Sequence, residues 1–208
     1  MQRMVMIGIL MGAAGVAAAE NNHCELAVTG DATSTIKSDA PAGGAQGKLA
    51  ASTDYWLSDD QLRTALRVMG DLGKASAAEK DKKLDEAMKK DPRFMLLMLN
   101  CLADDGGVIL SPGGKAKYAD VPMKPATYPL VPSDKAKAGE FTGMFHLSPG
   151  GKRESYTISD AGKLVITQFD RKAIAGTFSF GATQRKTSKH VTVNGSFRYL
   201  CQGERCDK

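Results

Sequence analysis

A strict two-residue alternation towards the C-terminal end constrains this chain more than any other feature. Phe141, Gly143, Phe145 and Leu147 alternate with Thr142, Met144 and His146. Ile174, Gly176, Phe178 and Phe180 alternate with Ala175, Thr177 and Ser179. Val191, Val193, Gly195, Phe197 and Tyr199 alternate with Thr192, Asn194, Ser196 and Arg198. Successive side chains on a strand point to opposite faces, so the pattern requires sheet with one apolar and one wetter face. Asp160-Ala161-Gly162 and Asp170-Arg171-Lys172 supply turns, and residues 139–208 read as an antiparallel meander with a disulfide-bearing tail.

Residues 20–57 read as N-terminal strands and a flexible loop. Leu26 and Val28 oppose Ala27 and Thr29, Gly30-Asp31 marks a turn, and Thr33 to Ile36 is rich in β-branched residues. Residues 38–52, heavy in Ala, Gly and Ser around Pro41 and Gly43-Gly44, form the loop. Residues 58–104 read as a helical insertion. Ser58 with Gln61 makes a capping box, and Leu62, Leu66 and Met69 line one helical face. Ser76 with Glu79 repeats the start signal, and Leu84 and Met88 share a face. Asp91-Pro92 opens a third helix, apolar nearly all round from Phe94 to Leu102 and hence buried, with Gly106-Gly107 ending it. Residues 105–138 hold Pro112, Pro122, Pro125, Pro129 and Pro132. Proline donates no ladder hydrogen bond, so this stretch reads as a surface connector.

The first residues carry an export signal. Arg3 precedes an uncharged apolar run from Met4 to Val16, and Ala17-Ala18-Ala19 stands before Glu20. That is a cleavable signal peptide over 1–19, too short for a permanent span, leaving residues 20–208 with no transmembrane anchor after cleavage. The expected compartment is periplasmic or secreted. Losing Arg3 lowers the formal charge from +5 by that single cation. So mild an excess fits plain solubility or contact with an anionic surface.

All four cysteines, Cys24, Cys101, Cys201 and Cys206, follow the signal. An even count in an oxidising compartment reads as disulfides, with three pairings open. Cys24–Cys101 with Cys201–Cys206 is preferred, and Cys24–Cys201 is the rival. A zinc site from His23, Cys24, Cys201 and Cys206 lacks the paired C-x2-C spacing such sites use.

Motifs for chemistry are sparse. Leu110 to Lys115 and Leu147 to Lys152 are both Leu-Ser-Pro-Gly-Gly-Lys, but the phosphate-loop pattern is absent and turns explain them. His23, His146 and His190 fall in no metal spacing. His146 is the best general-base candidate, with Ser155 and Asp160 as its only possible companions. No G-x-S-x-G elbow and no C-x-x-C are present. Arg185, Lys186 and Lys189 make a basic loop suited to anionic headgroups or polysaccharide, and without interleaved aromatics it excludes nucleic acid. Tyr55 and Trp56 read as a hydrophobic staple or as a stacking platform for a sugar or partner. No cofactor and no metal is implied.

The segment Leu164 to Phe180, with its Ile-Ala-Gly-Thr-Phe-Ser-Phe, followed by Val191-Thr-Val-Asn-Gly-Ser-Phe197, resembles the C-terminal strands of exported bacterial β-sandwich proteins of uncharacterised function. The resemblance implies a sandwich core and transfers no catalytic residue. The expected fold is therefore α+β: an antiparallel β-sandwich with a helical insertion of about three helices. The expected function is a non-enzymatic protein binding an envelope partner or anionic surface, with specificity placed in the insertion. The alternatives are an envelope hydrolase centred on His146 and a structural component of a surface assembly.

Overall fold

The computed structural model describes residues 21–41, 51–53, 98–113 and 124–201, together with Glu79, Lys82, Asp85 and Glu86, which are helical. The signal segment 1–19, Tyr55, Trp56, Cys206 and the first two expected helices, apart from those four residues, lie outside the described residues.

The described residues form ten strands: β1 (Asn21–Gly30), β2 (Ser34–Pro41), β3 (Ala51–Thr53), β4 (Leu99–Ala103), β5 (Gly106–Pro112), β6 (Ala126–Leu130), β7 (Phe141–Leu147), β8 (Glu154–Phe169), β9 (Ala173–Gln184) and β10 (His190–Leu200). They make one sheet in the order β2-β1-β10-β9-β8-β6-β7-β5-β4-β3. Pairing is antiparallel apart from one parallel contact, Leu130 of β6 with Phe141 of β7. The sheet curls until its two ends meet, and Cys24 on β1 is disulfide-bonded to Cys101 on β4 with Cα atoms 5.7 Å apart. Three hydrogen bonds surround that bond. Asn22 Nδ2 donates to the Ala51 carbonyl at 3.1 Å, the Leu200 N–H donates to Asn22 Oδ1 at 2.7 Å, and the Tyr199 hydroxyl donates to the Asn100 carbonyl at 2.8 Å.

This architecture corrects the expected α+β sandwich. There is one nearly closed, barrel-like sheet rather than two stacked ones, and the three-helix insertion is not its plan. The end of the expected third helix is strand β4, in a hairpin with β5 through Asp104-Asp105. A short apolar run serves a buried strand as well as a buried helix, and here ladder pairing decides. The expected surface connector contains β5 and β6. Pro129 fits inside β6 because that strand meets β7 at a single residue, which leaves one of its edges nearly open. Asp160-Ala161-Gly162 is not a turn either. It is a bulged stretch of the continuous β8, with register shifts on both sides of Asp160. Glu154–Thr157 of β8 pairs with β7, and Gly162–Ile166 pairs with β6.

A line of packed aromatic rings runs through the core. Ring centroids run from Tyr156 to Phe145 (5.3 Å), Phe180 (6.3 Å), Phe178 (6.1 Å), Phe197 (6.4 Å) and Tyr199 (5.2 Å). The two Gly-x-Phe triplets explain part of this line. Antiparallel register sets Gly195 opposite Phe178 and Phe197 opposite Gly176, so each ring lies by the glycine of the other strand. A Cβ on Gly195 would collide with the Phe178 ring. The outward face of β9 and β10 is polar, with Thr177, Thr192, Asn194, Ser196 and Arg198 exposed, while Met144 on β7 is an exposed large apolar side chain.

Candidate functional site: a basic rim

Register determines which loops share an end of the barrel. Leu147 pairs with Glu154 and Tyr156 pairs with Gln184, so the loop 148–153 and the turn 185–189 leave adjoining strands at the same end. The Arg185 N–H donates to the Ser155 carbonyl at 3.4 Å, joining the two. The 148–153 loop holds a 3-10 turn, Pro149–Gly151, in which Gly150 (φ 60) and Gly151 (φ 80) take the left-handed conformation that side chains resist. In the β9–β10 turn, the Gln184 N–H donates to the Lys189 carbonyl at 2.8 Å, and the Thr187 hydroxyl donates to Gln184 Oε1.

These two loops carry Lys152, Arg153, Arg185, Lys186 and Lys189, all exposed. None makes an ion pair with a described residue. Acidic side chains flank them on the neighbouring turns. The Ser148 N–H donates to the Asp105 carbonyl at 2.8 Å, which brings in the Asp104-Asp105 turn. The His190 N–H donates to Asp31 Oδ2 at 2.8 Å and holds the β1–β2 turn alongside. The rim thus carries five cations over β7 to β10, with the Asp31 and Asp160 carboxylates held against His190 beside them and Asp104-Asp105 on the next turn.

His146 stands on β7 near this end, half-buried. Its pKa lies below the ordinary 6.5, first because burial disfavours the imidazolium and second because Arg153 repels its charge. Strand register sets it opposite Ser155, which is exposed. Asp160 does not orient it: the Asp160 carboxylate is 2.6 Å from His190 Nε2. His146, Ser155 and Asp160 therefore do not assemble into the relay considered from sequence. His23 is likewise paired with Asp39 at 2.6 Å.

Of the sequence candidates, Arg185, Lys186 and Lys189 come together and His146 lies nearby, while Tyr55 and Trp56 fall outside the described residues. Sequence reading missed Lys152 and Arg153. Only the β8–β9 pairing brings them beside Arg185, and nothing local in the chain signals it. Cys24–Cys101 is the pairing preferred from sequence, and Cys201 is disulfide-bonded too. A buried disulfide is the chemistry of an oxidising compartment. Among the described residues no cluster of three or more His, Cys, Asp or Glu is placed to hold a metal ion, and no helix is long and apolar enough to cross a membrane. No protein-family model, curated protein or solved structure matches the chain.

Proposed function

We propose that this chain is an exported, non-enzymatic protein that binds an anionic partner at the cell envelope through the basic rim of its barrel. One observation carries the reading: Lys152, Arg153, Arg185, Lys186 and Lys189 sit exposed on two adjoining loops, without ion pairs to described residues. Like charges brought together on a surface repel, and an anionic partner relieves that repulsion. Export is supported by the apolar leader before Glu20 and by the buried disulfide.

The test is a pull-down from envelope extract with the disulfide-intact protein as bait, beside a variant with all five cations changed to Gln. The reading expects the native protein to retain material that elutes as salt rises, since exposed charges are screened over about 10 Å at 0.1 M salt. The variant, folded by circular dichroism, should retain little of it. Equal capture by both proteins refutes the rim as the binding surface.

A further inference from the structure

We infer that the basic rim docks on the headgroup plane of a bilayer carrying anionic lipid. The inference rests on the envelope-binding reading and names its partner. The cations project past the last strand pairs at one end of the barrel, so they can meet one flat surface together. The loops that bear them, Ser148–Arg153 and Arg185–Lys189, contain no aromatic ring on which a sugar would stack. A cleft lined by Val131, Lys135 and Ser159 among others lies on the barrel wall, away from these loops. Headgroup phosphates need no such ring. The loop tips carry no large apolar side chain for insertion, so docking is peripheral and reversible by salt. Asp105, exposed on the neighbouring turn, disfavours that side against the headgroups, so the barrel leans on its β8–β9 side.

Each surface cation strengthens binding to an anionic leaflet about fivefold. The experiment is co-sedimentation of the disulfide-intact protein with phosphatidylcholine vesicles, alone or containing about a third phosphatidylglycerol. Lys186→Gln with Lys189→Gln should weaken partition onto the anionic vesicles by about 25-fold, at an unchanged melting temperature. Lys163→Gln with Lys172→Gln, on the wall and at the opposite end, should leave partition unchanged. Binding should vanish without phosphatidylglycerol. A soluble polyphosphate arm separates the two levels of the account. Tight, rim-dependent binding to polyphosphate without partition onto anionic vesicles overturns the bilayer and keeps the rim as an anion site. Vesicle partition that is equal for the native protein and the rim variant overturns both.

Discussion

Replacing Cys24 and Cys101 together by alanine opens the covalent seam of the barrel without leaving a lone thiol. The bond closes a sequence separation of 77 residues. Tethering a loop of that length removes denatured-state freedom worth about 4.5 kcal/mol at 25 °C on the chain-entropy relation. Both sulfurs are in the core, with Cys24 0% and Cys101 1% exposed, so the small voids left by alanine add on the order of 1 kcal/mol. The disulfide at Cys201 remains as an internal control. The assay is urea unfolding followed by far-ultraviolet circular dichroism, supported by a thermal scan. The double variant should lose about 4–6 kcal/mol, and its melting temperature should fall by roughly 10–20 °C. A loss below about 1 kcal/mol would refute the reasoning, because the non-covalent seam would then hold the ends of the sheet unaided.

Tyr199→Phe removes the buried hydroxyl that reaches the Asn100 carbonyl across the seam, and should cost about 1 kcal/mol in urea unfolding. Gly195→Ala forces the Phe178 ring out of its place and should destabilise by about 1–3 kcal/mol, read the same way. Gln168 donates to one Asp170 carboxylate oxygen, and the other accepts the Ala173 and Lys172 N–H groups, which together hold its pKa below the ordinary 3.8. Its contribution to stability is full above that value and is lost as pH falls through the folded pKa, so Asp170→Asn should flatten the acid limb of the stability curve. His146 is also lowered, so the native state resists a proton that the unfolded chain takes up near 6.5. Its contribution declines as pH falls through the folded value, and Arg153→Gln should move its NMR titration upward.

The strands with clean alternation were legible because burial alternates with the pleat. Val191, Val193, Phe197 and Tyr199 are buried, while Thr192, Asn194, Ser196 and Arg198 are exposed. The segment around Leu99 was not legible. In β4 Leu99, Asn100 and Cys101 are all buried, so two-residue periodicity vanishes and a helix explains the run equally well. Asp104-Asp105-Gly106-Gly107 then read as a helix end, although the same residues close a hairpin. The Asp160 bulge misled for a related reason, since Asp and Gly mark bulges as readily as turns. As for the site, the run around Lys186 was visible as a basic loop. Its extension to Lys152 and Arg153 depends on tertiary pairing between β8 and β9, and no local pattern encodes that.

Lysine footprinting in the presence of envelope membranes tests the central claim most directly. Amines are acetylated with and without membranes at low salt, and each site is read by mass spectrometry. The account predicts protection of Lys152, Lys186 and Lys189, with Lys163 and Lys172 reacting as fast as in the free protein. Protection at Lys172 with none on the rim would contradict it.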